Sequence, residues 1–158
     1  IEFRFILLED LSEATTDRHP GADIDAVSLL KPNGDEFFAV SVEDSDVSCD
    51  TNEACDIAAA LGAPDAIFGD ECFGGGEVDP TIFTSMEQGF MIMGFSDDRT
   101  NAVIENGDVI HVYELGATEC DQYDDEAVSV GVSESIMGTF IEMGVTAPGD
   151  NLIEITGL

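Results

Sequence analysis

Three features of this chain predict an all-β protein, a β-sandwich or jelly roll of about eight or nine strands. The first is residues 105–117, where an Asn106-Gly107-Asp108 turn leads into Val109, Ile110, His111, Val112 and Tyr113 and then Glu114. Asn-Gly supplies the positive φ of a tight turn, and β-branched and aromatic residues suit a pleated strand. The second is the alternation of Val128, Val130 and Val132 with Ser129, Gly131 and Ser133, the period-two pattern of a half-buried strand. The third is the spacing of short apolar runs between turns rich in Gly, Asn and Asp, with one segment of helical character.

Residues 1–9 begin by alternating, Ile1, Phe3 and Phe5 against Glu2 and Arg4, and become wholly apolar at Ile6, Leu7 and Leu8. That predicts a strand with Ile1, Phe3, Phe5 and Leu7 on one face and Ile6 and Leu8 on the other. Little polar surface remains to protect such a strand as a free edge. It is expected either to enter its own core or to complete the sheet of a neighbouring copy. After a polar loop at 10–20, runs at 24–30 and 36–42 flank Pro32-Asn33-Gly34-Asp35, a hairpin signature. Residues 43–51 are acidic and Ser-rich and read as a loop. Residues 52–61 read as a short helix, with Asn52 to cap it, three consecutive alanines inside it, and Gly62 and Pro64 to end it.

Residues 65–80 hold four of the sixteen glycines and read as an irregular loop, followed by a short strand at 81–84. Further strands are expected at 88–95, at 109–114 with Val103 and Ile104 leading into it, and at 128–133, 139–145 and 151–158. No linker or repeat interrupts them, so residues 1–158 are expected to form one sandwich domain.

Composition narrows the functional classes. The chain is 44% hydrophobic with ten Phe, which favours a packed core over disorder. No apolar run reaches the roughly 18 residues of a membrane span, so no membrane insertion is expected. Thirty-five acids stand against Arg4, Arg18, Lys31 and Arg99, a net charge of −31. Such a field repels nucleic acid and anionic lipid. It suits a saline habitat, where carboxylates are screened, or the binding of divalent cations, or both.

Cys49, Cys55, Cys72 and Cys120 form an even set without Cys-x-x-Cys spacing, which predicts two disulfides and an extracellular setting. Of the three pairings four cysteines allow, Cys49–Cys55 with Cys72–Cys120 is the favoured one. The sequence starts at Ile1, with neither Met nor signal peptide, as expected of a processed form or excised domain.

The candidate ligand set is acidic. Asp23 and Asp25 flank Ile24, and with Asp65, Asp108 and Glu114 they are expected to form an oxygen cage for Ca²⁺. The competing reading is a solvated acidic surface. His19 and His111 are too few for zinc, and no Gly-x-Ser-x-Gly is present. Gly74-Gly75-Gly76 lacks the lysine of a phosphate loop. The five methionines read as core. With no Trp and only Tyr113 and Tyr123, sugar-stacking platforms are scarce. No catalytic residue is assigned, and no enzyme is expected.

Five stretches, residues 21–27 (GADIDAV), 60–65 (ALGAPD), 107–114 (GDVIHVYE), 128–133 (VSVGVS) and 138–144 (GTFIEMG), carry a resemblance. In that order they resemble secreted bacterial jelly-roll modules of the galactose-binding-like (discoidin-like) type, over about residues 21–158. The resemblance implies an extracellular, non-catalytic module, often with a structural calcium ion and sometimes a sugar site. Apolar strands expected at both ends of the sequence add a further hint, strand addition between copies. The expected function is a calcium-stabilised structural subunit that assembles with copies of itself into a filament, sheath or surface layer. The alternative is a calcium-dependent adhesion module for surface glycans or another ligand.

Overall fold

The period-two runs become strands that bury one face each. The computed structural model describes residues 1–13, 21–65, 79–97, 101–115, 126–147 and 151–158. Among these residues ten strands form two antiparallel sheets: β1 (Phe5–Asp10), β2 (Asp23–Leu30), β3 (Glu36–Phe38), β4 (Ser41–Ser45), β5 (Thr84–Ser85), β6 (Phe90–Gly94), β7 (Val109–Glu114), β8 (Val128–Ser133), β9 (Ile141–Val145) and β10 (Leu152–Glu154). One sheet has the order β4-β6-β1-β8-β9. The other runs β10-β7-β2-β3, with β5 also paired to β2. The all-β sandwich expected from the sequence is the fold.

Side chains from both sheets meet in one apolar core. Ile6, Leu8, Met91, Met93, Val130 and Val132 come from the first sheet, and Val27, Leu29, Ile110, Val112 and Ile153 from the second. Each such side chain contributes about 1.5–3 kcal/mol on burial. β1 pairs with β8 while β2 pairs with β7, a nested arrangement that winds the chain across both sheets.

The two turns read from sequence close as expected. Gly34 and Gly107 take φ values of 93° and 89°, and the Lys31 amide donates to the Asp35 carbonyl at 2.8 Å across the first turn.

The first strand takes one of its two expected places, its own core: β1 lies at the centre of its sheet, with Leu8 opposite Met91 on one side and Val130 on the other. Ile6 and Leu8 draw it there, since both are completely buried. The run 36–42 is not one strand. The Ala39 amide donates to Val27 in one sheet and the Val40 amide to Gly94 in the other, so the chain changes sheets between them. The continuation, β4, runs into residues expected to be loop.

Residues 52–61 do not form a helix beyond a single 3₁₀ turn, Ile57–Ala60, capped by Asp56. Asn52 is engaged elsewhere: its side-chain amide donates to the Ser85 carbonyl and its oxygen accepts from the Ala54 amide. Ahead of the central strand, Ile104 forms a bridge with Phe3.

The sheet edges are blunted. β4 and β9 each lie beside a register shift, and β3 and β10 are three residues long. Bulges and short edge strands are common defences against edge-to-edge pairing.

Candidate functional site

The β2–β7 ladder decides which expected ligands can meet. Ile24 lies opposite Glu114 at one end, and Leu30 lies opposite Val109 at the other. At about 3.3 Å per residue, the six positions from Asp108 to Glu114 span roughly 20 Å. The structure therefore gathers Asp23, Asp25, Asp65 and Glu114 at one end and leaves Asp108 at the opposite one.

At the first end, carboxylates interlock with backbone. The Asp23 amide donates to Glu114 Oε1 at 3.3 Å, and the Asp65 amide to Asp25 Oδ1 at 3.2 Å. The Ser85 hydroxyl donates to Asp23. Asp10, not singled out from sequence, joins the same end. It continues the inward alternation Ile6, Leu8, Asp10, and that alternation was the available signal. Its Oδ2 accepts from the amides of Gln88 at 2.8 Å and Ala22 at 3.2 Å, and its Oδ1 from Ser12 at 2.9 Å. Gly21, at φ +82°, is required beside it, because a Cβ there would stand 2.0 Å from Asp10 Oδ2. Glu87 and Gln88 form the turn into β6 with φ of 48° and 62°, a strained pair for non-glycine residues. The Asp10–Gln88 hydrogen bond helps to hold it.

Carboxylates crowd one another here. Asp23 is 3% exposed. Its burial pushes the carboxyl up to about 8, the Ser85 hydrogen bond opposes this, and Glu126 and Asp10 raise it further. Arg4 and Lys31 are the only Lys or Arg among the described residues. Both lie at the other end.

There Lys31 Nζ donates to Asp108 Oδ2 at 2.7 Å, to the Val103 carbonyl at 2.6 Å and to Glu105 at 3.3 Å. Asp108 Oδ2 also accepts from the Glu105 amide at 2.8 Å. Asp108, 1% exposed, thus forms an ion pair with the partly buried Lys31. Its chemistry is already satisfied.

The outer face of the second sheet carries a small aromatic group. His111 and Tyr113 stack with ring centroids 3.8 Å apart, and Phe38 lies 6.2 Å from Tyr113. The Tyr113 hydroxyl donates to Glu36 at 2.9 Å. Burial lowers the His111 pKa against the pull of Glu36, and burial together with Glu36 raises that of Tyr113.

Cys49 and Cys55 form the expected disulfide. Cys72, Cys120 and His19 lie outside the described residues. Of the expected assembly face, Ile1 is exposed, Phe3 is half-buried against Ile104, and Phe5 and Leu7 are half-buried on the outer side of β1. Among the described residues no three His, Cys, Asp or Glu side chains converge in metal-ligating geometry, and no helix is long and apolar enough to cross a membrane.

No protein-family model, curated protein or solved structure matches this chain.

Proposed function

We propose that this chain is a non-enzymatic, extracellular structural subunit that assembles with copies of itself and is stabilised by calcium. The observation that carries the reading is the distribution of exposed apolar side chains. Ile1 is 99% and Met137 90% exposed, and Ile136, Ile141, Val145 and Leu152 also face solvent. These six lie on the N-terminal segment, the β8–β9 turn, β9 and β10, while Leu11 and Val40, also exposed, lie after β1 and between β3 and β4. Grooves of about 750 and 370 Å³ beside them share Phe3 and Glu134. Exposed apolar surface of this kind marks contact with another protein, and on a chain of net charge −31 it is where two copies repel least. The contact is between faces: with β1 central and the edges blunted, strand exchange is disfavoured.

Calcium enters through the carboxylate-rich end. Asp23, Asp25 and Glu114 would have to turn toward one another to share an ion, since no three such side chains converge among the described residues, and backbone carbonyls and water would complete the shell. The cation would add positive charge at an end to which the described residues bring no Lys or Arg.

A second reading, a ligand-binding adhesion module, draws on the His111–Tyr113–Phe38 group beside Glu36, which has the make-up of a small sugar platform.

Sedimentation velocity in millimolar CaCl₂ and in NaCl of equal ionic strength separates the two. The structural reading expects oligomers that Met137→Asp together with Ile141→Asp disperses. A monomer under every condition would sink it and leave the adhesion module.

A further inference from the structure

The Cys49–Cys55 disulfide closes residues 49–55 into a loop that lies along β5. The Ser85 amide donates to the Ala54 carbonyl at 2.8 Å, and the Asn52 side-chain amide returns a bond to the Ser85 carbonyl at 2.7 Å. The Thr84 hydroxyl adds a bond to the Asp56 carbonyl at 2.7 Å. Ala54 packs with Phe83 and Leu115 in a small apolar cluster separate from the main core. On its other side β5 pairs with β2 at Asp23 and Ile24, and the Ser85 hydroxyl donates to Asp23. Loop, β5 and buried carboxylate are thus consecutive links. Cys49 is exposed, and the bond joins two positions of one loop rather than the two sheets.

We propose that the Cys49–Cys55 disulfide is a redox-sensitive clasp that holds this loop over the carboxylate-rich end. Its reduction opens Asp23 and Glu114 to solvent while both sheets stay folded. The reductant is a dithiol. Its thiolate attacks Sγ of Cys49, the S–S bond breaks, and Cys55 leaves as a thiolate that takes up a proton. The second thiol of the reductant then attacks the mixed disulfide, releasing Cys49 as a thiol and leaving the reductant oxidised. Two electrons and two protons pass to the protein. A ring this short constrains only its own segment, so the effect is local.

The test compares the oxidised protein with the Cys49→Ser, Cys55→Ser double variant, which leaves Cys72 and Cys120 untouched. Hydrogen exchange reads the Ser85 amide, and carbodiimide labelling followed by mass spectrometry reads Asp23. Both are expected to rise by about tenfold or more, as for a segment released into local opening, while the amides of β1 and β8 keep their protection. Folded wild type treated with dithiothreitol should give the same pattern, which guards against a variant that misfolds. Unchanged exchange at Ser85 overturns the clasp. So does loss of protection in β1 and β8, since the bond would then staple the whole fold.

Discussion

The two ends of the β2–β7 ladder use the same residue types and reach opposite electrostatics. At one end Asp108 is buried against Lys31 and the Glu105 amide. At the other, Asp23 is buried beside Asp10 and Glu126, with a hydroxyl and no described Lys or Arg near it. A buried carboxylate is tolerated in water-free surroundings only if it is paired, protonated or bound to a cation. The Lys31 end uses the first solution. The Asp23 end has the second and third open to it, which is why the calcium reading attaches to one end only.

Breaking the paired end should have the largest effect. Lys31→Met leaves the Asp108 carboxylate buried without its counter-charge and is expected to cost about 3–5 kcal/mol. Urea denaturation at neutral pH measures it. Adding Asp108→Asn should recover much of the loss, because a neutral amide can still accept from the Glu105 amide. If the single and double variants were equally unstable, the pairing account of this end would be wrong.

The Asp23 end should respond in the opposite sense. The folded pKa of Asp23 is about 8 against an ordinary 3.8. Its contribution to stability is therefore fully present below about pH 4 and is lost as pH rises through about 8. Asp23→Asn removes that loss. In the absence of divalent cations the variant should gain on wild type across this window, by at most about 1.4 kcal/mol per pH unit. Denaturation curves at several pH values read the difference, and a pH-independent effect would contradict the assignment.

The smallest expected effect is on the solvent side of β7. Tyr113→Phe deletes an exposed hydrogen bond to Glu36 and should change stability by less than about 1 kcal/mol. A loss as large as that of Lys31→Met would mean that the outer face matters to the fold as much as the paired end.

Much of this arrangement is legible in sequence where periodicity is local. Val109–Glu114 alternates as expected, and the Asn-Gly turns at 33–34 and 106–107 form where their φ requirement put them. What sequence could not reveal is long-range. That β1 is flanked on both sides depends on β6 and β8, more than 80 residues away in sequence. The sheet change at Ala39–Val40 leaves no compositional mark, because both halves of 36–42 suit a strand. The 52–61 segment has helical propensity, but the Asn52–Ser85 hydrogen bond and the disulfide hold its first half in another shape.

At the site, four of the five expected carboxylates share one end of the ladder and the fifth does not. Asp23, Asp25, Asp65 and Glu114 do gather, whereas Asp108 faces Lys31. The signal lay in register: Lys31 follows Leu30 and Asp108 precedes Val109, and those neighbours are opposite each other in the ladder.

The calcium proposal places cation binding at the Asp23 end, once its carboxyl ionises, and not at the Lys31 end. Thermal melting at pH 8 in millimolar CaCl₂, against NaCl of equal ionic strength, tests it directly. A cation bound only by the folded state adds RT ln(1 + [L]/Kd), about 2.7 kcal/mol at a hundredfold excess over Kd. The account predicts a higher Tm in calcium, abolished by Asp23→Asn with Asp25→Asn and retained in Asp108→Asn. Equal melting temperatures in the two salts, or a calcium gain that survives the Asp23 and Asp25 substitutions, would contradict it.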